Sequence, residues 1–188
     1  LDLDVRSQLT TAFVVSALVH TGFALVRAEP MRAIAAIGLS QSALLVGGAT
    51  VSEHGFTAEY LMLAGSDLGL LGLFVLLADL GRRHGPIRLA PDNGLGEVEG
   101  PLSQLFLVLG WLFVGLPGGV VFFAEDLLFH AFVTHSVGQS AAMILASVLN
   151  AVAFYRVYLG LFSGRMRPGL GARGEMSPLH RGVAVALI

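Results

Sequence analysis

Neither cysteine nor lysine occurs anywhere in the 188-residue chain. Without thiols there can be no disulfide framework, iron–sulfur cluster or thiolate zinc site, and the redox compartment cannot be read from the sequence. Charge of either sign is scarce: charged residues make up 13% of the chain and apolar residues 55%, with a mean hydropathy of +0.77. A soluble domain carries about 25% charged residues to wet its surface, so water is not the main solvent of this chain. All 11 basic residues are arginine and the net charge is −2, which leaves no concentrated basic patch to hold a nucleic acid backbone. No loop brings together a nucleophile, a base and an orienting group, so a soluble-type enzyme is not indicated. The sequence opens on Leu1 and runs to Gln8 without the basic start of a signal peptide; this reads as a fragment, a split chain or a partial one.

What is present is apolar sequence in long runs. A helix needs roughly 20 apolar residues to cross the hydrocarbon core, and runs of this kind cover residues 9–26, 33–51, 57–80 and 139–162. The stretch 102–135 is interrupted at Gly115-Leu116-Pro117-Gly118-Gly119, and a last span starts near Leu179 and is cut off at Ile188. The fold class expected is all-α, a single polytopic transmembrane bundle with one discontinuous helix. Charge supplies the topology. Arg27, Arg32, Arg82, Arg83, Arg88, Arg165, Arg167, Arg173 and Arg181 all follow spans that end on one side. The positive-inside rule puts that side in the cytoplasm. The arrangement closes only if 102–135 crosses once in net effect. The loops 53–56 and 135–138 contain no arginine, as external loops should. Residues 81–100, kept irregular by Pro86, Pro91 and several glycines, are expected to form a cytoplasmic loop or surface helix.

The break is where chemistry is expected. Pro117 has no N–H to donate, so the carbonyl of Phe113, four residues back, loses its helical partner in a medium that offers no other. Such interruptions mark ion or substrate sites near the bilayer midplane, and this one is followed by Phe122-Phe123-Ala124-Glu125-Asp126. Six residues separate Gly119 from Glu125, roughly 9 Å at 1.5 Å per residue, which places the carboxyl well inside the membrane, able to take and release a proton when water or a partner approaches. The plainer reading makes Glu125 and Asp126 interfacial residues at the end of a short helix. Asp126 and His130, four apart, form a second protonatable pair. As metal ligands they do not close a site without further donors, and neither metal nor cofactor is expected. Asp67, near the middle of the third span, is either a proton carrier or the hydrogen-bonded partner of another helix. Asp79, Arg156 and Tyr158 stand close enough to span ends to snorkel as anchors, and His20 is expected to pack with a hydrogen bond. Gly169 to Gly174 matches a dinucleotide-binding pattern by letter only, since no βαβ unit surrounds it. Gly69 and Gly72 read as small contacts that let helices approach.

The run Gly115-Leu116-Pro117-Gly118 to Phe123-Ala124-Glu125-Asp126 resembles the broken-helix motif of the antiporter-like proton-channel subunits of respiratory complex I, a family shared with Mrp-type sodium/proton antiporters and the membrane partners of some inorganic-carbon uptake systems. In that family a Glu or Lys stands at the place of Glu125. Glu29-Pro30-Met31-Arg32 through Ser40-Gln41 is similar to the family's Asp-x-Lys-Arg to Ser-x-Ser-Gln stretch, and Ala153-Phe154-Tyr155-Arg156 to Gly160 is similar to the end of the next helix. The resemblance implies the second of the family's two inverted five-helix units. It also implies a multi-pass inner-membrane subunit packed in lipid beside other membrane subunits, with protons, or protons and Na+, as coupling ions. Two functions follow from it: a proton-conducting subunit with Glu125, Asp126, His130 and Asp67 on the path, or a structural scaffold whose own path is lost. Met31 at the family's lysine position, and Leu61, Gly65 and Gly69 where the family shows His and Lys, thin the relay.

Overall fold

In the computed structural model the chain is described at residues 3–51, 56–90 and 93–165, together with Gly182. The expected terminal helix (apart from Gly182), Arg167, Arg173 and Arg181, the glycine pattern 169–174 and most of the loop at 53–56 lie outside the described residues. What is described is all-helical, without strand: α1 (Leu3–Val26), α2 (Pro30–Val51), α3 (Phe56–His84), α4 (Gly100–Phe113), α5 (Val120–His135) and α6 (Val137–Phe162), with a short 3-10 turn at Leu95–Glu97 before α4. Among the described residues four helices are long and apolar enough to cross a membrane, namely Val5–Val26, Pro30–Val51, Thr57–His84 and Val137–Phe162. The chain is a multi-pass membrane protein.

Every one of these helices extends past its apolar run. Pro30 occupies the first position of α2, where a missing N–H costs nothing. The Ser136 side chain accepts from the Gln139 amide at the start of α6, so α6 begins two residues ahead of the run at 139. The third span continues beyond Leu80 to His84, because Asp79 ties back to the arginines of the last turn.

Hydrogen bonds fix which helix ends lie together. Leu89 N–H donates to the Ala28 carbonyl, Ala90 to Gly160 and Gly94 to Ser163, and Asn93 Nδ2 reaches Gly160 O at 2.7 Å. The end of α1, the connection into α4 and the end of α6 therefore share one end of the bundle, where Arg27, Arg82, Arg83, Arg88 and Arg165 also stand. At the opposite end Gln139 Nε2 donates to Thr11 Oγ1 (2.9 Å), and Thr10 pairs with Thr50 (2.6 Å). Since α4 starts at the arginine end and α5 finishes beside Gln139, the two together lead from one end to the other.

The interior is layered. At the arginine end a core of Ile34, Ile37, Leu73, Leu76, Phe106, Leu109, Phe113, Phe154 and Val157 is fully buried. A second core, including Ala17, Leu44, Met62, Ala124, Leu128, Phe132 and Ala146, fills the other half. Gly110 admits the Phe154 ring, which would collide with any Cβ there. Buried aliphatic and aromatic surface in a bilayer gains from close packing more than from the hydrophobic effect, and small residues at the crossings permit it.

Candidate functional site

Between the two cores, each long helix turns a polar residue inward. On α1 it is Thr21; on α2, Ser40 and Gln41; on α3, Ser66; on α6, Asn150, all of them buried. Thr21 donates to Asn150 Oδ1 (2.7 Å), Asn150 Nδ2 donates to Ser40 Oγ (3.0 Å), and Thr21 and Ser40 lie 2.9 Å apart. Three helices are thus joined by neutral hydrogen bonds at one depth, where hydrocarbon would supply none.

The helix break sits at this level. α4 ends at Phe113, and residues 114–119 turn through Gly115 (φ +69°) and Gly118 (φ +99°) before α5 begins at Val120. Both glycines occupy backbone conformations that side chains resist. The Phe113 carbonyl, deprived of an amide by Pro117, is taken by Gln41 Nε2 at 2.6 Å. The sequence shows that this carbonyl needs a donor; it does not show which one.

Glu125, in the second turn of α5, folds back against the break. A Cβ at Gly115 would stand 2.5 Å from Glu125 Oε2, so only glycine lets the carboxyl lie there. Ser147 on α6 donates to Glu125 Oε1 at 3.1 Å. The carboxyl forms part of the wall of a cavity of about 290 Å³ between the break, α5 and α6, whose lining includes Leu116, Phe122, Asp126, Ile144 and Val148. The cavity is apolar apart from Glu125, Asp126 and Ser147.

Of the other residues singled out by sequence, Asp126 lies on the cavity rim. His130 Nδ1 donates to the Asp126 carbonyl at 2.8 Å and stands 3.8 Å from its carboxylate, with both side chains largely exposed. The pair is therefore linked through backbone more closely than through its acid. Asp67 joins neither: it is exposed on α3. Among the described residues no group of three or more His, Asp or Glu converges as a metal site would require. His20 donates to the Ser16 carbonyl at 2.7 Å within α1.

Asp79, Arg156 and Tyr158 differ from the expectation of snorkelling anchors. Asp79 is 4% exposed and pairs with Arg83 at 3.0 Å, while Arg83 also reaches Glu99 at 2.6 Å and His84 meets the same Glu99 oxygen at 2.9 Å. Arg156 donates to the Arg27 carbonyl at 2.9 Å, and Tyr158 meets Ser103 at 3.0 Å. Neighbouring helix ends offer all three groups charged or hydrogen-bonding partners within the protein. Sequence reasoning also passed over Glu59, a buried carboxyl in the first turns of α3. Like Ser66 on the same face, and like Gln41 Oε1, its oxygens have no hydrogen-bond partner among the described residues. The signal available was its position seven residues before Ser66, two helical turns along one face.

No protein-family model matches the sequence, and no curated protein sequence matches it. Solved structures do. A chain of respiratory complex I from Thermus thermophilus with bound NADH superposes with a TM-score of 0.89 at 23% identity over 98% of this chain. A chain of the Mrp complex from Dietzia sp. DQ12-45-1b gives 0.82 at 21% identity over 94%. The present chain shares their fold. A further complex I structure from Thermus thermophilus, with bound Aureothin, gives 0.73 at 22% identity. The region of complex I and Mrp fold in this chain spans only 35% to 41% of the length of those chains.

Proposed function

We propose that the chain is a proton-conducting membrane subunit of an ion-translocating complex of the antiporter-like family, in which Glu125 carries protons at the broken helix. The observation that carries this reading is the setting of Glu125. Its carboxyl is tucked against a glycine of the break, held by one hydroxyl, and borders a cavity by which water or another proton carrier would have to reach it. A carboxyl in such a place is functional by default, since a bilayer otherwise expels it.

Three further observations support it. At 1.5 Å per residue α4 and α5 are roughly 21 and 24 Å long, each short of the ~30 Å hydrocarbon core, so together they make one interrupted crossing. The arginine end is then cytoplasmic by the positive-inside rule, in an inner membrane. The orphan oxygens of Ser66 and Gln41 near the break, and of Glu59 two turns away along α3, are of the kind that bound water satisfies in folded proteins, which favours a hydrated interior. The fold likeness to complex I and Mrp chains favours other membrane subunits as neighbours, with protons, or protons and Na+, as the coupled ions; an inorganic-carbon uptake assembly is a further setting for such a subunit.

The absence of lysine favours a second reading, a scaffold subunit without its own path. Replacing Glu125 by Gln in the assembled complex separates the two, because the shape is kept and the ionisable group removed. Proton conduction measured in vesicles falls at least tenfold if Glu125 is the carrier. Unchanged conduction with intact assembly leaves only the scaffold.

A further inference from the structure

Asp67 poses a problem that the Glu125 cavity does not solve. It lies ten residues beyond Thr57 and fifteen before Arg82, roughly 15 and 22 Å along α3 at 1.5 Å per residue, so it stands near the centre of a 28-residue span. Packing gives the same depth independently. On one side of it Gly65 meets Val121 and on the other Gly69 meets Phe113, so residue 67 is level with the helix break. Those two glycines also fix its direction. With about 100° per residue, Asp67 points about 180° away from the mean direction of Gly65 and Gly69, and it is exposed accordingly. It makes no hydrogen bond or ion pair among the described residues. Around it Leu63, Leu68 and Leu71 are 47%, 47% and 52% exposed, an apolar face with one carboxyl at its centre.

Leucines facing outward from a membrane helix require no explanation, because lipid receives them. A carboxyl at mid-span does, because acyl chains offer it neither charge nor donor. The partner must be cationic or a strong donor at that depth. The described residues of a second copy of this chain supply no permanent cation there. Lysine is absent, and every described arginine belongs near a helix end, including Arg156, which is held by the Ala24 and Arg27 carbonyls.

We propose that this outward face of α3 is the docking surface for a membrane helix of a partner chain that brings an arginine or lysine to mid-span against Asp67. The leucines supply the packing surface, and the ion pair sets depth and register. The inference rests on the membrane placement of α3 and stands apart from proton carriage by Glu125, whose cavity is lined by the break, α5 and α6.

The test is photo-crosslinking in the native membrane with a benzophenone amino acid at position 71, and sequencing of the crosslinked peptide. The expected product is a transmembrane segment of another chain containing Arg or Lys. Its yield falls at least tenfold in Asp67→Leu, whose folding is checked by Trp111 emission, and returns when the cation is exchanged for Asp in an Asp67→Arg background. If Asp67→Leu does not accumulate, Asp67→Asn takes its place with the same reading. Crosslinks to lipid alone, to a second copy of this chain or to a segment without Arg or Lys overturn the proposal, as does a yield unaffected by the substitution. No arm reads transport, so a silent Glu125 leaves the result interpretable.

Discussion

Replacing Gln41 by methionine isolates the bond that closes the helix break. Methionine has nearly the volume of glutamine and makes no hydrogen bond of comparable strength, so the cavity contribution is small and the loss is that of the 2.6 Å bond to the Phe113 carbonyl. A buried acceptor left unsatisfied costs about 1–3 kcal/mol. Hydrogen bonds between membrane helices measure about 0.6 kcal/mol on average and about 1.7 at most. The Phe113 carbonyl belongs at the upper end, since Pro117 has removed its backbone alternative. Methionine also deletes Gln41 Oε1, which has no partner among the described residues, and that relief offsets part of the loss. The expected net destabilisation is therefore about 1–2 kcal/mol. Reversible unfolding in mixed micelles measures it, with emission from Trp111, the single tryptophan, reporting at the break itself. Ser42→Ala is the control: its hydroxyl serves the Gly38 carbonyl of its own helix, and its removal should shift stability by under about 0.5 kcal/mol. A Gln41→Met protein as stable as the parent would refute the claim that this side chain replaces the missing amide.

Other substitutions test the remaining contacts. Gly115→Ala meets both a positive φ and Glu125, whereas Gly118→Ala meets a positive φ and open space; each should cost about 1–3 kcal/mol of backbone strain, and only the first should also lower proton conduction. Arg83→Ala takes one cation from the buried Asp79 and Glu99 and leaves each with a single remaining partner, Arg82 at 3.3 Å and His84 at 2.9 Å; it should cost about 2–3 kcal/mol, below the full penalty for an unpaired buried charge, against under about 1 kcal/mol for the largely exposed Arg82→Ala, both read from denaturation midpoints. Gly110→Ala drives a methyl group into the Phe154 ring and should destabilise by about 1–3 kcal/mol. Most of that should return in the Gly110→Ala, Phe154→Ala pair relative to Phe154→Ala alone, since the two sites are in contact.

The helices were legible in the sequence because lipid imposes a length, and apolar runs near 20 residues have few other uses. Their ends were less so: α3 continues to His84 through polar residues whose place is set by Asp79, Arg83 and Glu99 finding one another. The break was legible because proline and glycine act locally, and so was the need of the Phe113 carbonyl for a donor. That the donor is Gln41, 72 residues away in sequence, or that Ser147 reaches Glu125 across 22 residues, follows from helix rotation and depth, which hydropathy does not encode. The same holds for Asp67. Sequence placed it at mid-span, and only the contacts of Gly65 and Gly69 reveal that it faces away from the break.

The two ends of the bundle are fastened by different means. At the arginine end, main-chain amides of residues 89, 90 and 94 grip the carbonyls of Ala28, Gly160 and Ser163, while at the far end the described cross-links between helices are hydroxyl and amide side chains. Main-chain staples survive almost any substitution, whereas side-chain ties are lost one residue at a time. Evolutionary drift and thermal breathing should therefore both act first at the far mouth, leaving the stapled mouth as the fixed pivot from which the helices fan.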